Sequence, residues 1–218
     1  MKPLHTLLVL AALTTCGANA AAQTRNINFE LLLAAREGSE ASVRALIAQG
    51  ASPNSRNRLG DTPLNVAARN GHLGLARLLI EHGADVNIAN LARVSPLMSA
   101  AFGGHTEILA LLIGRKADLH PTDRVQKTAM IYAAGNGRTE CVRALLDAGV
   151  EVNARYANGA TALMWAAAYG HADTVKLLLA RGAEHAPRDE RDKSALAIAI
   201  EQGHAPVAEV LRAAGARD

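Results

Sequence analysis

The sequence predicts an all-α solenoid: six helix-turn-helix units of 33 residues, joined by hairpin loops. Three observations carry this. Leucine stands at Leu46, Leu79, Leu112, Leu145, Leu178 and Leu211, each 33 residues after the last. Glycine keeps the same period at Gly38, Gly71, Gly104, Gly137, Gly170 and Gly203, and no insertion breaks the register. The apolar half of the chain is mostly small or unbranched, with 46 Ala, 29 Leu and 3% aromatic residues. That favours close-packed helices over a β-sandwich, which draws on Val, Ile, Thr, Tyr and Phe.

The first element is a leader. Met1-Lys2-Pro3 is a short positive start, and Leu7 to Leu13 is an apolar core. Ala18-Asn19-Ala20 puts small residues where a signal peptidase reads, so residues 1–20 are expected to be removed, with Ala22 as the other cleavage point. The apolar run is shorter than the roughly 20 residues of a membrane span, and no later stretch qualifies. Cys16 follows Leu13-Thr14-Thr15, but a lipoprotein box prefers a small residue in place of Thr15, so no lipid anchor is expected. Loss of the leader leaves Cys141 as the one thiol, and an internal disulfide is then ruled out.

Residues 21–218 form the repeat domain, with units at about 26–57, 58–90, 91–123, 124–156, 157–189 and 190–218. The second unit shows the logic of each. Thr62 is a good N-cap, and Pro63 suits the first turn because its missing N–H needs no partner there. Leu64, Ala67 and Ala68 form one apolar stripe, and Gly71 ends the helix in the left-handed region. Leu75, Leu78, Leu79 and Ile80 give the second helix its buried side, and Gly83 ends it. An extended loop with a turn, as at Leu59-Gly60, leads to the next unit. The paired alanines let the first helices approach closely, and a lone unit cannot bury both faces, so units must stack. The first unit lacks the Thr-Pro-Leu start and is expected to begin at Phe29. The last presents Glu209 and Arg212 on its outer side. Both read as caps.

These units resemble ankyrin repeats. Residues 58–90 carry Thr62-Pro63-Leu64, Ala67-Ala68, Gly71-His72, Leu78-Leu79 and Gly83-Ala84-Asp85-Val86-Asn87, and the likeness runs over about residues 26–218. The family's histidine after Thr-Pro-Leu is replaced by Asn65, Met98, Ile131, Met164 and Ala197. The resemblance implies a binding module without catalysis. It also implies that His72, His105, His171 and His204 are structural turn residues. Exported bacterial proteins of this type imply a periplasmic place and a part in protection against peroxide.

The residues themselves point away from chemistry. The four repeat histidines sit in successive layers, roughly 8–10 Å apart, too far to converge on one metal at about 2 Å. Ser95 and Ser194 read as N-caps, and Cys141 falls on a core position, so no nucleophile is set up. Gly103-Gly104-His105-Thr106 joins two helices, unlike a phosphate loop. No cofactor is expected. The net charge of +3 is spread without a basic block, which gives nucleic-acid binding no support.

The expected partner is another protein, met by a monomer. Carried over from the family, the loop-tip positions are Arg58, Leu59 and Asp61, then Val94, then Arg124, Val125 and Lys127, then Asn158. The first-helix positions are Arg69, Asn70, Phe102, Asn136 and Tyr169. Phe102 and Tyr169 put large rings where packing needs none, and aromatic residues and arginine are common binding anchors. Trp165 reads as inter-unit core, by its register with Val66, Ser99, Tyr132 and Ile198. The 115–127 segment departs from the repeat pattern, with Lys116 and Gln126 for glycines and His120-Pro121 for the usual asparagine; either this tip has a different shape for a partner, or the third unit is simply worn. The alternative function is that of an exported effector binding proteins of another cell.

Overall fold

The computed structural model describes residues 26–217. The expected leader and Cys16 lie outside the described residues. The helices come in six pairs: α1 (26–37) with α2 (Glu40–Ala48), α3 (Pro63–Asn70) with α4 (Leu73–Glu81), α5 (Pro96–Gly103) with α6 (Thr106–Gly114), α7 (Ala129–Gly135) with α8 (Thr139–Asp147), α9 (Ala162–Ala168) with α10 (Ala172–Ala180), and α11 (Ala195–Glu201) with α12 (Ala205–Ala213). No described residue lies in a β-strand. The chain is an all-α solenoid.

The first helices of units two to six start on side-chain caps. Thr62, Ser95, Thr128, Thr161 and Ser194 accept from the backbone N–H three residues on, at 3.1–3.4 Å. Thr62 has a reciprocal partner, because Asn65 Oδ1 accepts from the Thr62 N–H at 2.9 Å. Asn65 thus closes a capping box from the position where the family has histidine. Gly71 ends α3 at φ 81°. A Cβ there would stand 2.6 Å from His105 Cε1 of the next unit, so the glycine supplies space as well as conformation.

That contact explains the repeat histidines. His72, His105, His171 and His204 stand at the N-cap of the second helices without capping them through the side chain. Instead His105 Nε2 donates to Arg69 O at 3.0 Å, His171 to Gly135 O at 3.0 Å and His204 to Ala168 O at 3.1 Å. A carbonyl only accepts, so Nε2 carries the proton in each. Arg138 takes the place in the fourth unit, and its Nε donates to Phe102 O at 3.2 Å. Each such side chain pins its own layer to the one before it.

The first helices pack in one row, α3 on α5, α5 on α7, α7 on α9 and α9 on α11. The second helices form the other, from α2 on α4 to α10 on α12. Between the rows, Leu79, Leu112, Leu145, Leu178 and Leu211 are fully buried. Leu46 is only partly buried, since among the described helices α2 has one neighbour in its row, α4. The first unit also differs from expectation at its start: its helix is present from residue 26, and Phe29 is 59% exposed.

The 115–127 segment keeps the common hairpin turn despite its replaced residues. Gln126 has φ 60°, alongside Gly60 at 78°, Arg93 at 63° and Asp192 at 60° in the same register. Four of the five hairpins share one device. Asn57, Asn90, Asp123 and Asp189 each use Oδ1 to accept two loop N–H groups at 2.8–3.0 Å. This turn chemistry offsets the strain of a side chain in the left-handed region. The odd loop is the next one. Tyr156 holds the pinning position and has no such acceptor, so Asn158 and Gly159 both turn left-handed within a 3-10 turn at Ala157–Gly159.

What the 115–128 loop lacks is its link to the 148–161 loop. Elsewhere Asn54, Asn87 and Asn153 accept from the N–H of Asp85, Asp118 and Glu184, each at 2.9 Å. Hairpin tips also bond directly, Leu91 N–H to Leu59 O, Arg124 N–H to Ala92 O and Glu190 N–H to Asn158 O. Among the described residues, no bond of either kind joins the 115–128 and 148–161 loops. His120 stands where the asparagine would be.

Candidate partner-binding surface

The hairpin tips and the first helices share one side of the solenoid, because the tips lead directly into α3, α5, α7, α9 and α11. Arg58, Leu59, Arg69, Asn70, Phe102, Arg124, Val125, Asn158 and Tyr169 are exposed there. Val94, Lys127 and Asn136 are half-buried, and Asn136 Nδ2 donates back to Tyr132 O at 2.7 Å.

Asp61 departs from the expected tip set. It is 2% exposed, and its carboxylate is used inside the protein. Arg69 donates to it at 2.9 Å and Asn90 Nδ2 at 2.8 Å. Burial pushes the Asp61 carboxyl up, but the bonds from Arg69, Asn90 and Asn57 outweigh that and hold it below the usual carboxylate range. Asp61 therefore orients Arg69 and ties two loops together; a partner cannot reach it.

Four rings and one ammonium form a continuous row across units three to five. Phe102 meets Tyr132 edge to face, with centroids 5.8 Å apart. Lys127 Nζ lies 5.8 Å from the Tyr132 centroid and 4.9 Å from that of Trp165. Trp165 stacks on Tyr169 at 6.0 Å and 10°. Tyr132 donates its hydroxyl proton to Asp123 Oδ2 at 2.5 Å. Burial, then the bond to Asp123 and its charge, push that phenol far above its usual range. Tyr132 is thereby held as a fixed ring with its polar end satisfied.

Trp165 corrects the expectation of a core residue. It is half-buried and lines a groove of about 620 Å³ between the tips and first helices of units five and six. Met164, Tyr169 and Ile198 give the groove its apolar floor, and Asn158, Glu190 and Arg191 form part of its rim.

Sequence reasoning reached Phe102, Lys127 and Tyr169 and missed Tyr132 and Trp165 as surface groups. Their register held the signal. Val66 and Ser99 suffice to fill that position in units two and three, so a tyrosine or tryptophan there has area left over. The ends of the row were legible because they are exposed in any helical wheel; its middle depends on the tilt between units.

A family model described as ankyrin repeats (3 copies) matches residues 5–90, 31–123, 90–156 and 153–217 of this sequence. No curated protein matches it.

Proposed function

The chain belongs to the ankyrin repeat family, and from that premise we propose that it binds a protein partner through the hairpin tips and the row of first helices. Ankyrin repeats make the chain a protein–protein interaction module. The observation that carries the choice of face is the aromatic row from Phe102 to Tyr169, which leaves both end rings about half exposed, at 50% and 54%. Rings at the surface of a rigid scaffold supply contact area at low entropic cost. The residues of this face are tied into loops and caps, which suits a surface formed before its partner arrives. The bound form is a monomer that acts as a scaffold without turnover.

The leader at residues 1–20 supports a periplasmic place for the mature chain. The likeness to exported bacterial ankyrin repeat proteins supports a part in protection against peroxide. Affinity capture from fractionated cells tests the binding reading. The bait is run beside a Phe102→Ala/Tyr169→Ala variant. A periplasmic protein retained by the first and lost by the second is the expected result. Equal retention by both would move the contact off this face.

A further inference from the structure

The charges beside the aromatic row are divided unevenly along the solenoid. Arg58, Arg93 and Arg124 are exposed on the tips of units two to four, and none has a carboxylate within ion-pair distance among the described residues. Asp61 and Asp123 of the same hairpins are buried, at 2% and 4% exposure, and already accept internal bonds, while the exposed Asp85 and Asp118 form no ion pair with these arginines among the described residues. On the tip of unit six the cations are matched: Arg191 pairs with Asp189 at 2.8 Å and Lys193 with Glu201 at 3.4 Å. One end of the face thus carries unpaired cations, and the other end is an apolar groove whose tip cations are paired and whose rim carries the exposed Glu190.

Lys127 stands at the junction. Its ammonium lies over two ring faces and, among the described residues, has no carboxylate within ion-pair distance. It also lies beside the pair of loops that lack both inter-loop bonds found elsewhere. Arg124, exposed in the same hairpin, is the next cation along the face.

We propose that the face takes an extended acidic segment of the partner, with one apolar or aromatic side chain seated against Trp165 and Tyr169 and its carboxylates on Lys127, Arg124 and Arg93. This rests on the binding reading above and names the chemistry of the partner. An extended chain advances about 3.3 Å per residue, and layers of packed helices repeat at about 8–10 Å. Every third residue therefore meets a new unit, which lets a run of acids address successive tips. A nucleic acid would also meet the arginines. The floor of Met164 and Ile198 suits an aliphatic or aromatic side chain and offers a phosphate chain no partner.

Trp165 is the only tryptophan of the chain, so its emission reports on the groove without a label. The full chain is titrated with four probes: a peptide with one Phe between blocks of Asp and Glu, the same peptide with Lys for the acids, the acidic peptide with Ser for Phe, and single-stranded oligothymidylate. The acidic Phe peptide is expected to bind at least about tenfold more tightly than any other probe, with affinity falling as salt rises. Lys127→Gln/Arg124→Gln is expected to lose that preference and most of the salt dependence, and Tyr169→Ala to lose the preference for Phe over Ser. Tighter binding of the basic peptide, sensitive to Tyr169→Ala, would overturn the acidic class and leave the groove standing. Tighter binding of the oligonucleotide would overturn the choice of a peptide. No change in emission with any probe, or binding unaffected by all three substitutions, would overturn the groove itself.

Discussion

A glycine and a histidine from successive units meet at every layer contact but one, where Gly104 faces Arg138 instead. Gly71 needs φ 81°, and its bare Cα faces the His105 ring. Gly71→Ala should therefore cost about 1–2 kcal/mol for the left-handed backbone, plus the displacement of His105. His105→Ala leaves Arg69 O without its donor and should cost about 0.5–1.5 kcal/mol. Together they should cost less than the sum, because the clash disappears with the ring; urea denaturation of the three variants checks this. Asp61 gives the matching acid prediction. Its folded carboxyl is held below the unfolded value, so it contributes stability above about pH 4, and that contribution is lost as pH falls through the folded value. Asp61→Asn should be less stable than the parent at neutral pH, and the gap should close toward pH 3 in urea titrations. The sequence placed Asp61 on the tip because its position in the repeat is next to the turn. Its burial follows from Asn90 and Arg69, which approach only when the units stack.

The loop elements show where a repeat pattern is informative and where it misleads. Replacement of glycine by Gln126 left the shape of its tip open, and the pinning carboxylate of Asp123 restores the common turn. Loss of the pinning side chain at Tyr156 was the more telling change, and it reshaped the 148–161 loop instead. The substitution with a lasting consequence is His120, which removes one rung of the asparagine ladder. His120→Asn should supply an acceptor for the Glu151 N–H. Its expected gain is about 0.5–1.5 kcal/mol, with slower amide exchange at Glu151. Unchanged exchange at that amide would show that the two loops are not aligned for the bond. Helix boundaries after α1 were largely legible, because a cap, a proline or a glycine marks most of them in the sequence itself; the start of α1 carries no such mark.

At the scale of the whole molecule, stability is a sum over neighbouring layers. The period of 33 revealed the stacking before any contact was known, since a unit with two apolar faces has no other way to bury them. It left unread how far each ring emerges, because that depends on the small rotation between units. Leu145 tests the stacked account. It is fully buried in α8, and Leu145→Ala should cost about 2–5 kcal/mol. Loss in a middle layer should also separate the unfolding of units one to three from that of units five and six. A single sharp transition with an unchanged midpoint would contradict the core position.

The claim that one face carries the function is tested most directly by site-specific photocrosslinking in cells. A photoreactive phenylalanine analogue is placed at Phe102 or Tyr169 on the aromatic row, and at Lys176, an exposed residue of α10 in the opposite row of helices. Adducts to the same protein from positions 102 and 169, and none from 176, are the predicted result. Adducts from 176 with none from the aromatic row would contradict the account.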